Sequence, residues 1–285
     1  MATTPDDTTG QLATSTARPG KASAPAPEAS KEDDSKSAAG SSGAPIEGEP
    51  DDNPSPATVV YNPPDADPVC VVWDVDGVLV DSYKPHLESW QKTAEKLGVS
   101  YTEEDFLSGF GKTSREHLKE NFGANMSDDQ IAEIEGDKEA LYRDMVAEDF
   151  PAMPGARELI QALKDADFKI ALATSGPAAN LMLAVRLMKL QPFLSAVVSG
   201  ADVTKGKPDP EIFLKAAKNC GVKPERCVAI EDSQFGVEAA KAAGMGCLGL
   251  LSTGHEKTEL DEADRVVETL EGVTAEDVRA LLPKV

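Results

Sequence analysis

From residue 156 onward, short apolar runs alternate with helical patterns, and that alternation limits the fold more than any other feature of this 285-residue chain. Helical spacing over 156–165 precedes an apolar strand at 169–173, and a helix over 178–188 precedes a short strand at 196–199. A helix at 211–219, a strand at 227–230, a helix at 237–243 and a strand at 247–251 follow. A weak strand at 265–267 and a helix at 275–282 close the chain. Elements of this length in this order imply an α/β architecture, a parallel sheet with helices on both faces. No internal repeat is visible.

The first strand stands apart from this series. Val69 to Trp73 reads as a buried strand that stops abruptly at Asp74-Val75-Asp76-Gly77. Two carboxylates just past the end of a buried strand are costly unless compensated, and a divalent cation is the usual compensation. A plain strand running into a tight Asp-Gly turn is the other reading of the fragment. The spacing does not match a calcium loop, because the glycine follows the first aspartate too early. Beyond Asp81-Ser82 the pattern turns helical, with Leu87, Trp90, Ala94 and Leu97 on one face and Gly98 as a stop. Helical character continues through 103–106, 114–122 and 128–150, with Ser127 or Asp128 as a candidate N-cap. Residues 83–151 therefore read as an all-helical insertion, ended by Pro151-Ala152-Met153-Pro154-Gly155.

Charge separates the N-terminus from the rest. The chain carries 50 acidic against 28 basic residues, a net charge of −22. Residues 1–68 hold twelve of the acids and four of the bases, net −8, which leaves −14 for the remainder. The acidity argues against nucleic acid and anionic membranes as partners. Residues 1–66 are dominated by Ala, Ser, Thr, Pro, Gly and acids, a composition that cannot offset the entropy of ordering, and they read as a disordered tail. The tail has no apolar h-region and is not Arg-rich, and no run of about 18 apolar residues occurs anywhere. A cytoplasmic monomer is the expectation. Cys70, Cys220, Cys227 and Cys247 show no C-x-x-C spacing and read as buried free thiols.

Four polar clusters sit where apolar strands end or in the loop after one: Asp74/Asp76, Thr174-Ser175, Lys207 and Glu231-Asp232. In a parallel sheet those ends share one edge, so the clusters converge. Carboxylates, a hydroxyl and a lysine together suit phosphoryl transfer through a nucleophilic carboxylate with magnesium, which needs only two or three protein oxygens. Singly, each cluster also reads as a helix cap or a turn.

The four segments Asp74-Val75-Asp76-Gly77-Val78-Leu79-Val80-Asp81-Ser82, Ala173-Thr174-Ser175, Gly206-Lys207-Pro208-Asp209-Pro210-Glu211-Ile212-Phe213 and Ile230-Glu231-Asp232-Ser233 resemble the motifs of the haloacid dehalogenase superfamily. The resemblance spans residues 69 to about 285 and is nearest to the subgroup of β-phosphoglucomutase, phosphoglycolate phosphatase and sugar-phosphate phosphatases. It implies a Rossmann-like catalytic core from 67–82 and 152–285, with 83–151 as a helical cap. By position, Asp74 is the implied nucleophile and Asp76 the general acid/base. Thr174 and Lys207 bind the phosphoryl group, and Mg2+ is held by Asp74, the Asp76 carbonyl and Asp232, with Glu231 close by. A carboxylate at Asp76 favours phosphate chemistry over dehalogenation. His86 stands twelve residues after the nucleophile, as in the mutase, and Lys112, Arg115 and Ser175 are candidate substrate contacts. A later cap lysine of the mutase corresponds to Asp144 here. That departure, with Gly111 and Lys112 displaced from the mutase's cap-loop pattern and Thr174-Ser175-Gly176-Pro177-Ala178 in place of its Ser-x-Ser-x-Asn stretch, puts a magnesium-dependent phosphatase of a small phosphorylated metabolite, such as phosphoglycolate or a sugar phosphate, ahead of a mutase. A non-catalytic binding relative is the remaining alternative.

Overall fold

A computed structural model of the chain describes residues 67–109, 114–123 and 125–284; the tail at 1–66, read as disordered, lies outside the described residues. Six parallel strands form one sheet in the order β3-β2-β1-β4-β5-β6. They are β1 (Cys70–Trp73), β2 (Lys169–Ala173), β3 (Leu194–Val198), β4 (Cys227–Glu231), β5 (Gly246–Leu250) and β6 (Arg265–Val267). β1 pairs with both β2 and β4. The chain builds outward from it on one side to β3 and on the other to β6, so the strand order reverses at β1/β4. Connections leave a reversal point toward opposite faces and open a crevice above the strand ends.

The alternation of side chains along β1 explains why both faces need cover. Val71 and Trp73 enter one apolar cluster with α5 (Ala156–Asp165), α6 (Ala178–Leu187) and α9 (Ala275–Arg279). Cys70 and Val72 enter the other, with α7 (Glu211–Cys220) and α8 (Gln234–Ala242). Every residue of β1 is fully buried, and a strand buried on both faces is a continuous apolar run rather than an alternating one. All four cysteines are free and buried.

Between β1 and β2 lie α1 (Tyr83–Leu97), α2 (Glu103–Ser108), α3 (Ser114–Phe122) and α4 (Asp128–Glu148). They bury their own cluster of Trp90, Ala94, Tyr101, Phe106, Leu118 and Ile131. Capping boxes at Thr102 and Ser127 satisfy the first amides of α2 and α4. The chain enters and leaves this insertion side by side: the Asp81 amide donates to the Pro151 carbonyl at 2.8 Å, and the Met153 amide to the Leu79 carbonyl at 3.0 Å. Tyr142 and Val146 of α4 also pack with Leu183 of α6.

Several boundaries differ from the sequence expectation, α4, α9 and β3 among them. α4 ends at Glu148 and α9 at Arg279. Pro151 and Pro283 follow within four residues, and a proline pushes the residue before it out of the helical region. β3 begins two residues earlier than expected, at Leu194, because its pairing with β2 passes through an irregularity between Ile170 and Ala171.

Candidate active site

Sheet geometry brings the four clusters together. Asp74 is the first residue beyond β1, and its amide is fixed by the Ile230 carbonyl of β4 at 3.0 Å. Lys207, in the loop after β3, places its Nζ 2.6 Å from Asp74 Oδ1 and also donates to Glu231 Oε1. Glu231, the last residue of β4, is completely buried. Its second oxygen accepts from the Asp232 amide at 3.2 Å and the Ser233 hydroxyl at 3.3 Å. Gly236 is required beneath it, since a Cβ there would lie 2.0 Å from the carboxylate. Asp232 Oδ2 accepts from Ser252 Oγ at 2.7 Å, and His255 Nε2 stands 3.8 Å from the same oxygen. Gly77 lets the Asp74–Val80 turn close over it: φ is +71°, and a Cβ would come within 1.7 Å of Asp232 Oδ2.

Electrostatics here are dominated by burial. Desolvation pushes the Asp74 carboxyl up to about 8 and Asp232 up to about 7, and it raises Glu231 as well. Lys207 pulls all three back, and although burial works against its own charge, Asp74 and Glu231 hold it protonated. Three buried carboxylates face one ammonium, so the cluster is short of positive charge. Oxygens of Asp74, Glu231 and Asp232 lie within 4.8 Å of one another. A compact set of hard oxygen donors with a charge deficit fits a divalent cation.

Asp76 turns the other way. Burial would raise its pKa, but hydrogen bonds from His86 and Tyr142 outweigh that and hold it at about 2, so it is an anion here. His86 Nε2 lies 3.2 Å and the Tyr142 hydroxyl 3.1 Å from Asp76 Oδ1, while Thr174 Oγ1 donates to Oδ2 at 3.4 Å. The two rings stack at 4.0 Å. Lys138 Nζ sits 2.8 Å from His86 Nδ1 and 2.8 Å from Glu139, and burial lowers its pKa. Asp74, Asp76, His86, Thr174, Ser175, Lys207 and Asp232 all line one cavity of about 800 Å³.

The family model for haloacid dehalogenase-like hydrolases matches residues 69–244, more than half of the chain. This chain is a haloacid dehalogenase-like hydrolase. The hydrolase is 35% identical over 179 residues to a phosphorylated carbohydrates phosphatase of Thermotoga maritima, covering 61% of this chain and 81% of that protein. It is 34% identical over 188 residues to a β-phosphoglucomutase of Bacillus subtilis, covering 63% of this chain and 82% of that one. Among solved structures, a family IA, variant 3 hydrolase from Entamoeba histolytica superposes with a TM-score of 0.70 at 26% identity. That match covers 75% of this chain and 99% of the other.

Of the residues singled out from sequence, Lys112 and the Arg115 side chain lie outside the described residues of the hydrolase. Ser175 is exposed at the cavity wall. Asp144 is exposed, whereas the buried lysine of α4 is Lys138, six residues earlier and behind His86. Sequence reading missed Tyr142, Lys138, Ser252 and His255. Ser252-Thr253 follows an apolar strand just as Thr174-Ser175 does, so a signal for that loop was present.

Proposed function

We propose that this hydrolase is a magnesium-dependent phosphatase of small phosphate monoesters, phosphoglycolate or sugar phosphates, acting through an aspartyl-phosphate on Asp74. The observation that carries the reading is the buried Asp74–Lys207 pair at 2.6 Å, set beside Asp232 at the strand-order reversal. A carboxylate is a competent nucleophile for phosphorus when a fixed cation neutralises the charge around it. Asp74 forms a bond to phosphorus as the ester oxygen leaves, and that oxygen takes a proton that Asp76, an anion beforehand, receives from the monoprotonated phosphate of the bound ester and passes on. Asp76 then takes a proton from water, whose oxygen bonds to phosphorus, and the Asp74 carboxylate departs. Thr174, Ser175 and Lys207 hold the phosphoryl oxygens, and His86, Lys112 and Arg115 are the further candidate substrate contacts.

Asp74, the Asp76 carbonyl and Asp232, with Glu231 adjacent, would hold magnesium, which would supply charge stabilisation for the transferring group. Residues 67–82 and 152–285 form the catalytic core in this reading, and 83–151 form the cap that selects the substrate. The enzyme is a cytoplasmic monomer, and its four free cysteines suit a reducing compartment. A mutase of the β-phosphoglucomutase type is the second reading, favoured by the Lys138–His86–Asp76 chain and by the similarity to the Bacillus subtilis protein.

Chelation is expected to abolish hydrolysis of p-nitrophenyl phosphate, and added magnesium to restore it. Calcium should restore little, because its looser and higher coordination disturbs in-line geometry. Full activity after exhaustive chelation would refute the metal assignment.

A further inference from the structure

Phe235 is the second residue of α8 and stands three positions beyond Asp232. The helix buries Gly236, Val237, Ala239 and Ala240 against the sheet. Positions 235, 238 and 242 share the opposite, outward face. A phenyl ring there is 38% exposed and contributes to no apolar cluster of the described residues. It does line the cavity that holds Asp74, and from the helical insertion Tyr83 and Phe106 line the same space. Those two rings meet edge to face at 5.2 Å. Asp81 and Glu259 bring carboxylates to the cavity as well.

Aromatic lining at a ligand cavity holds flat or weakly polar groups, and a few polar groups fix their orientation. Glu259 is paired with His255 at 2.6 Å, so it is Asp81 that disfavours a ligand with a further negative charge. We infer that the preferred substrate is the phosphate monoester of a ring-bearing alcohol without a second acidic group, and that Phe235 is the residue on which that ring lies. The inference rests on the phosphatase reading and narrows it. Within the classes named above it selects cyclic sugar phosphates and rejects phosphoglycolate.

Three primary phosphate esters with similar leaving groups separate the possibilities: glucose 6-phosphate, glycerol 3-phosphate and phosphoglycolate. The test compares their kcat/KM for phosphate release by the magnesium-loaded full chain and by Phe235→Ala and Phe235→Tyr. The wild type should favour glucose 6-phosphate over glycerol 3-phosphate by about tenfold, the scale of covering the C–H face of one sugar ring with a phenyl group, and handle phosphoglycolate worst. Phe235→Ala should raise KM for glucose 6-phosphate by about five- to tenfold, with a much smaller change for glycerol 3-phosphate, while Phe235→Tyr keeps the wild-type ranking. A general structural defect would instead depress all three esters together and lower the melting temperature. Equal or reversed ranking overturns the inference and leaves the phosphatase reading standing. A preference for phosphoglycolate does so too, by giving its carboxylate a cationic partner such as Lys112 or Arg115. No phosphate release from any of the three overturns both.

Discussion

Asp74→Asn is expected to abolish turnover, with a loss of at least about 10⁴-fold, in line with removal of a nucleophile from an intact site. An amide oxygen at this position can still accept from Lys207, so the 2.6 Å contact and the fold survive. The amide cannot form the acyl-phosphate. The substitution also removes one of three buried carboxylates that burial already penalises, so the melting temperature should hold or rise slightly. Activity and thermal unfolding of the same preparation separate chemistry from folding. Near wild-type turnover in Asp74→Asn would mean that the reaction does not pass through this side chain.

Lys207→Met should have the largest effect on stability. The lysine is nearly enclosed between Asp74 and a completely buried Glu231. Removing one partner of a buried ionic cluster costs about 3–5 kcal/mol, since the remaining charges are stranded. Methionine replaces the hydrocarbon stem, so the loss reports charge rather than volume. The stranded carboxyls can escape by binding protons, which fixes the sign of the pH dependence. A carboxyl whose folded pKa lies above its unfolded value binds more protons in the native state, so stability rises as pH falls. Burial already raises Asp74 and Asp232 from 3.8 to about 8 and about 7, and loss of Lys207 raises Asp74 and Glu231 further. The deficit of the variant should therefore be greatest near pH 8 and shrink toward about pH 5. Denaturant melts at the two pH values, without metal, measure it. A deficit below about 1 kcal/mol at both would show that the three groups are not the coupled unit drawn here.

Much of this architecture was legible in the chain because its determinants are local. β1, residues 170–173 of β2 and residues 227–230 of β4 are uninterrupted apolar runs, and a run buried on both faces cannot be confused with a half-exposed strand. Asp74, Thr174 and Glu231 each directly follow one of those runs, and parallel topology then collects them. What escaped depends on packing between distant elements. Tyr142 and Lys138 sit in a helix that begins Asp-Asp-Gln and carries acids on most turns, so nothing in its pattern marks Tyr142 as facing Asp76 across 66 positions or Lys138 as facing His86 across 52. Their burial becomes visible only once α4 lies along α1 and α6. Phe235 was hidden because the sequence pattern starts that helix at 237, and only α8 beginning at Gln234 shows it on the outward face.

The Thr174 and His86 contacts describe Asp76 as an anion held by the helical insertion on one side and by the β2 loop on the other. A carboxylate in that state can receive a proton from water, the step that distinguishes hydrolysis from transfer to a second sugar hydroxyl. In the proposed reading both reactions start at Asp74 and differ in what attacks the phosphoenzyme.

Following both products from one reaction therefore tests the phosphatase reading most directly. β-Glucose 1-phosphate is incubated with the magnesium-loaded enzyme, with and without glucose 1,6-bisphosphate, while inorganic phosphate and glucose 6-phosphate are quantified together. The expected result is phosphate release that does not depend on the bisphosphate, with little glucose 6-phosphate formed. Efficient bisphosphate-dependent isomerisation with negligible phosphate release would contradict it.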